Sequence, residues 1–347
     1  MRCLALFLAL SASLSTLAAV ATTVPVDMPI QQRIAAAQAT ARTAASCIPI
    51  QPFYWEIGDA QGPLTGGSVG RDAPRRDTPM AIASASKWIY AAYVAERRQG
   101  ELTADDISFL SFESGYTRFR ICQQWQTVAS CLASPINGFG AQDPSTAHRF
   151  DYNGGHMQKH AALMGLGPQG NEALGMSIRS GLSPLGPDWS FQYTQPQPAG
   201  GGATSAADYA HFLRAAMRGD LQIGKLLGTH AVCTNPTTCP DQAVHTPVPE
   251  TESWHYSIGH WVEDDPLVGD GSFSSAGAFG FYPWINADKQ YYGVLARVDR
   301  QGVLAGNQAD SATADPMNDQ RGSKQGAQSV DCGRLIRAAW IQGQAKQ

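Results

Sequence analysis

Apolar and polar residues alternate along this chain with helical spacing in its middle and strand-like runs toward its ends. Pro29 to Cys47 holds the alanine-rich run Gln31-Gln32-Arg33-Ile34-Ala35-Ala36-Ala37-Gln38-Ala39, which predicts a helix. Gln51 to Asp59 concentrates Phe53, Tyr54, Trp55 and Ile57, a strand signal. Gly62 to Gly70 is rich in turn residues. Ala83 to Arg98 reads as a helix that ends near Gly100. From about Glu101 to Thr246, glycine-rich loops surround two or three helices. In one of them, Ser205 to Met217, the residues Tyr209, Phe212, Leu213 and Ala216 share a face. Ser205 followed by Asp208 resembles a capping box at its start. Three strand-like runs follow, His255 to Val262, Ala278 to Ile285 and Tyr291 to Val298, and Cys332 to Gln342 closes the chain as a helix. No internal repeat or low-complexity segment interrupts this order. Strands near both ends and helices between them predict an α+β fold. Its sheet lobe spans about 30–82 and 250–347, and its inserted helical lobe about 83–249.

The first residues change the picture. Met1-Arg2 precedes an apolar run from Cys3 to about Ala18, and Ala19-Val20-Ala21 supplies a small-x-small cleavage site before Thr22. This predicts a signal peptide over residues 1–21 and an exported chain, periplasmic or secreted, with 22–347 as a single domain. No later stretch reaches the ~18 apolar residues of a spanning helix, so no stable membrane insertion is expected. Six cysteines then remain, Cys47, Cys122, Cys131, Cys233, Cys239 and Cys332, an even set that predicts disulfides in an exported protein. Proximity suggests Cys122 with Cys131 and Cys233 with Cys239, leaving Cys47 and Cys332 to tie the chain ends. About 15 pairings exist, and sequence does not choose among them. A net charge of −4 with no basic run argues against a nucleic-acid partner.

The chemistry centres on Ser84-Ala85-Ser86-Lys87. Serine and lysine three apart on a helix lie one turn apart on one face. A serine hydroxyl is a weak nucleophile until a base activates it. A lysine serves as that base only when an apolar pocket or a second cation lowers its pKa, and the flanking residues here are small and apolar. The plainer reading of these four residues is a helix with a polar face. Other clusters have plain readings too. His156 and His160 lie four apart, but Met157 stands where a zinc helix needs glutamate. His230, Cys233, Cys239 and His245 have metal-ligand chemistry, yet export favours a disulfide. Glu263-Asp264-Asp265 lacks the spaced ligands of a calcium loop and reads as a solvated turn. Trp254, Trp261, Trp284, Tyr256 and Phe281 read mainly as core, with an acyl pocket as the alternative. No metal and no cofactor is expected.

Several further phrases fall in a fixed order: Gly100-Glu101-Leu102-Thr103-Ala104-Asp105-Asp106, Leu110-Ser111-Phe112-Glu113-Ser114-Gly115-Tyr116, Gly200-Gly201-Gly202-Ala203-Thr204-Ser205, and Tyr256-Ser257-Ile258-Gly259-His260-Trp261. Together with the Ser-x-x-Lys phrase they make the chain, from roughly Trp55 to Arg300, resemble the serine β-lactamase and D,D-peptidase (penicillin-binding-protein-like) superfamily, in its class C-like branch of serine hydrolases. The resemblance implies a β-lactamase/transpeptidase-like fold with a mostly antiparallel sheet and flanking helices. It implies that Ser84 attacks a carbonyl while Lys87 and Tyr152 handle its proton. Tyr152 sits in Phe150-Asp151-Tyr152-Asn153-Gly154-Gly155, which matches the family's tyrosine phrase, with Asn153 one residue earlier than usual. The third family element, usually Lys-Thr-Gly or His-x-Gly, corresponds to Ser275-Ala276-Gly277 and lacks the cation. The resemblance assigns the oxyanion hole to the backbone amides of Ser84 and Ala278, and substrate binding to Asn153, Ser275 and Gly277.

The missing cation suits neutral esters or small amides. The expected activity is therefore that of an exported serine hydrolase, an esterase or amidase, working through an acyl-serine. A D,D-peptidase or β-lactamase acting on cell-wall peptides or antibiotics is the alternative, and a non-catalytic binding protein that keeps the fold is a second. The expected partner is a small-molecule ester or amide, on a chain read as a monomer.

Overall fold

The computed structural model describes residues 28–299 and 320–347; the predicted signal peptide lies outside them. Its centre is an eight-stranded antiparallel sheet, in the order Pro63–Val69, Phe53–Gly58, Tyr292–Ala296, Tyr282–Ile285, Ser272–Ser274, Trp261–Glu263, His255–Tyr256, Val232–Cys233. The hairpin from the start of the chain pairs directly with the strand near its end, Tyr54 opposite Ala296 and Gly58 opposite Tyr292. Both ends thus build one sheet, as the sequence pattern predicts. Phe53–Gly58 is buried throughout, which its run of large apolar residues requires of a strand covered on both faces. The stretch Gly62–Gly70, which reads as turns, is instead the edge strand Pro63–Val69. It pairs on one side only and is half-exposed, so it has no apolar run to betray it. His255–Val262 splits into two strands around a turn at Gly259, whose φ of +70° suits glycine.

Two helices from opposite ends of the chain, Ile30–Thr43 and Gln320–Gln342, pack against each other. The disulfide Cys47–Cys332 ties them; Cys122–Cys131 and Cys233–Cys239 close local loops. A buried ion network fixes the last helix to the sheet. Arg337 reaches Glu263 at 2.8 Å and Asp270 at 2.6 Å, and Arg334 reaches Glu263 at 3.1 Å and Glu252 at 2.9 Å. Burial alone would raise the Glu263 carboxyl, but Arg337 and Arg334 hold it at about 2. Removing one partner would strand a buried charge, so this network sets helix position firmly.

The helix Ser86–Arg97 runs through the core, with every residue from Ser86 to Ala95 buried. Trp88 stacks on His260 at 5.3 Å and meets Phe212 edge-on at 6.1 Å. A fully buried side chain of this size contributes about 1.5–3 kcal/mol, so the helix is held by packing more than by propensity. The helix Ala206–Arg218 is capped by the Ser205 hydroxyl, which accepts from the Asp208 N–H at 3.1 Å, at the position the sequence predicts.

Candidate active site

Ser84 sits in a tight turn, Ala83–Ala85, that opens the buried helix. Ala83 takes φ +43°, a left-handed conformation costly for a residue with a Cβ. Three side chains hold the turn. The Ser86 hydroxyl donates to the Ala83 carbonyl at 2.6 Å and accepts from the Gly202 N–H at 3.0 Å. The Tyr209 hydroxyl donates to the Ala85 carbonyl at 2.8 Å, and the Ser275 hydroxyl to the Ser84 carbonyl at 3.1 Å. Strained backbone persists where surrounding structure over-determines it.

Lys87 is 2% exposed, and its Nζ donates to Ser84 Oγ and to the Ala199 carbonyl, both at 2.8 Å. It lies 4.8 Å from the Tyr152 ring centroid and 6.0 Å from that of Phe112. Among the described residues no carboxylate pairs with it, and burial lowers its pKa to about 7. Tyr152 stacks on Trp261 at 5.2 Å. Burial raises its phenol to about 12, offset in part by hydrogen bonding with Ser84 and Trp261. The hydroxyl, amine and phenol of Ser84, Lys87 and Tyr152 therefore converge.

They meet at the floor of a cleft of about 600 Å³. Ser84, Tyr152, Ala276, Gly277 and Ala278 line one part. Trp254, Trp261 and the segment from Val244 to Glu250 line another, and Lys324, Ala327, Val330 and Asp331 of the last helix a third. Gly326 lets that helix approach closely: a Cβ there would sit 3.2 Å from the Gly277 carbonyl and 3.8 Å from Ala278 Cα. The third element follows the strand Ser272–Ser274 and turns immediately, with the Gly277 N–H donating to Phe281 at 2.7 Å. The strand predicted from Ala278 starts only at Tyr282.

Two predicted binding side chains do not reach the cleft. The Asn153 amide donates to the Phe119 carbonyl at 3.3 Å and accepts from the Gly155 N–H at 2.8 Å, so it organises the turn into the helix Gly155–Ala161. Ser275 is buried and spends its hydroxyl on the Ser84 carbonyl. Trp254 and Trp261 line the cleft, whereas Trp284, Tyr256 and Phe281 lie in the core. Cys233 and Cys239 are bonded to each other and are not thiolate ligands. Sequence reasoning missed the Ala199 carbonyl, the wall from Val244 to Glu250 and the last helix. The small-residue run Gly200-Gly201-Gly202 beside Ala199 was the one available signal for close backbone approach.

No family model matches the chain. No curated protein matches it. Solved structures do. A candidate β-lactamase from Bacteroides dorei DSM 17855 is 19% identical with a TM-score of 0.55, over 81% of this chain and 92% of that one. EstCE1, described as a hydrolase with promiscuous acyltransferase activity, is 11% identical with a TM-score of 0.56, over 86% and 99%. A D-stereospecific amidohydrolase from Streptomyces sp. is 13% identical with a TM-score of 0.51, over 82% and 98%. The chain has the β-lactamase/transpeptidase-like fold of these structures.

Proposed function

We propose that this protein is a serine hydrolase that acts through an acyl-serine at Ser84 on esters or small amides. The observation that carries this reading is the buried Lys87 amine, 2.8 Å from Ser84 Oγ, with a pKa brought to about 7 by burial. At neutral pH such an amine is substantially unprotonated and accepts the Ser84 proton as Oγ attacks a carbonyl. Tyr152, near 12, stays protonated and acts as a donor. The oxyanion is assigned to the amides of Ser84 and Ala278, each donor of this kind contributing about 2.7–4 kcal/mol. Lys87 then returns its proton to the leaving group, and water releases the acyl group. Three disulfides support an oxidising compartment, and hence export.

A neutral substrate fits the cleft. Its apolar walls include Trp254, Val248 and Val330, and its arginine is already committed, Arg334 being bonded to Glu252 and Glu263 and stacked 4.5 Å over Trp254. One observation favours the second reading, a peptidase or β-lactamase: Lys324 on the cleft wall offers an exposed cation for a substrate carboxylate. Initial rates on a p-nitrophenyl ester, a D-alanyl peptide and a chromogenic cephalosporin, beside Ser84→Ala, test both. Ester turnover lost in the variant is expected. Cephalosporin or peptide turnover without ester turnover would replace the first reading by the second. Full activity in Ser84→Ala would end both.

A further inference from the structure

Away from the cleft, large apolar side chains stand in water at one place in the fold. Of the protein's eight tryptophans only Trp125 is exposed, at 81%, and of the described phenylalanines only Phe139, at 71%. Ile136, three residues before Phe139, is 51% exposed. Apolar residues exposed singly are ordinary on a protein surface. Three large ones on one small knot of chain, rimmed by polar residues, mark a contact surface.

The knot is braced from within. Trp125 stands in the turn Gln123–Gln126, inside the loop closed by Cys122–Cys131. Asn137 is buried and ties that loop to the turn Pro135–Gly140. Its Oδ1 accepts from the N–H groups of Arg120 and Ile121 at 2.7 and 3.2 Å, and its Nδ2 donates to the Cys131 carbonyl at 2.8 Å. Ile136 and Phe139 lie on either side of this anchor in the chain. Phe139 takes φ +56°, between Gly138 at +63° and Gly140 at +65°. Left-handed backbone is unfavourable for a bulky residue. The knot thus bears strain to carry a phenyl ring that buries little of itself, and such strain is kept where a function uses the conformation.

The charge around these residues is positive. From Ser114 to Gln142 the chain holds Arg118 and Arg120 and no carboxylate, in a protein of net charge −4. Arg118, Arg120 and Ile136 line one shallow depression. Arg118 pairs with Asp143 at 3.1 Å and stays 56% exposed. Arg120 is exposed and has no ion pair among the described residues. Lys159 adds a third cation, 5.3 Å from the Tyr116 ring centroid. A second copy on this face would set like charges against each other. An anionic bilayer suits both features: aromatic rings enter its headgroup layer while guanidinium groups meet its phosphates. We propose that the knot from Arg118 to Phe139 docks the protein on an anionic phospholipid surface. The protein then lies on the bilayer, since no helix among the described residues is long and apolar enough to cross it.

The test is sedimentation of the protein with vesicles of phosphatidylglycerol mixed with phosphatidylcholine, and with vesicles of phosphatidylcholine alone. Wild type and variants carry the same N-terminus, so their differences report this surface. Expected are binding to the mixed vesicles that weakens as salt is raised, far less binding to phosphatidylcholine, and a blue shift of Trp125 emission on the mixed vesicles. Trp125→Ser combined with Phe139→Asn should weaken binding by more than about tenfold; asparagine tolerates the left-handed backbone at 139. Arg120→Gln, a change of one exposed side chain, should weaken it by about fivefold. Circular dichroism matching the wild type shows that each variant keeps the fold. No sedimentation of the wild type with either vesicle, binding undiminished in both variants, or equal binding to the two vesicles would overturn the proposal. So would a wild-type dimer in solution that the double variant dissolves, since that would give the surface to a second copy.

Discussion

Lys87→Met keeps most of the length of the side chain and removes the amine, and it should separate activity from stability. An ordinary lysine with pKa 10.5 offers about one free amine in 10³ at neutral pH, whereas one near 7 offers about half. The drop from 10.5 to about 7 corresponds to about 5 kcal/mol of preference against the ammonium in the folded protein. Because the folded pKa lies below the unfolded one, the folded state binds fewer protons between about pH 7 and 10.5. Wild-type stability from this group therefore rises with pH across that window, and the penalty is fully present below about pH 7. Replacing Lys87 by methionine should then stabilise the protein by a few kcal/mol near pH 6, less the lost hydrogen bonds to Ser84 and Ala199, with the gain fading toward pH 10. Acylation should fall by about 10² or more. Urea unfolding near pH 6 and near pH 10, paired with stopped-flow acylation across pH, reads both effects. In the wild type kcat/KM should rise with pH and level off above about 7. A flat profile through that region, or a stability gain for Lys87→Met that is larger near pH 10 than near pH 6, would refute the reasoning.

Gly277→Ala would drive a methyl into the Ile82 carbonyl, forcing the third element away from the nucleophile turn. If the Ala278 amide is the oxyanion donor proposed, its displacement should lower kcat by about 10²–10³, seen as a loss of rate with far smaller change in KM. Replacing Cys47 and Cys332 together by serine opens a loop spanning 285 residues. Chain entropy puts that loss at about 5 kcal/mol at most, a lowered urea midpoint, while the rate on esters at low denaturant should stay near that of the intact protein.

Ser84, Lys87 and Tyr152 were legible because their spacing is local and their phrases keep a fixed order. The sheet's two-ended construction was legible from where the aromatic and β-branched runs fall. The edge strand Pro63–Val69 was not, since an exposed strand needs no apolar alternation and its glycines read as turns. The place of the Asn153 amide was not legible either: its displacement by one residue hands it to the turn before Gly155, a result set by backbone geometry. Ser275 faces the nucleophile turn for the same kind of reason: the side on which the residue just past a strand points depends on register. His245 stood out in the sequence only as one of four residues with metal-ligand chemistry. Its segment has no periodicity, and only the tertiary pairing with Phe150–Asp151 brings it to the cleft.

The pairing of Phe53–Gly58 with Tyr292–Ala296 has a bearing on how this chain is made. A ribosome delivers the first hairpin long before its neighbouring strand exists, and the apolar helix Ser86–Arg97 emerges with much of its cover still unsynthesised. The sheet cannot close until residue 296 is out, so the nascent chain has no finished core to protect it. A polypeptide that stays unfolded until its last strand arrives remains threadable, which is the state a translocation pore requires, and it depends on chaperones for as long as that state lasts.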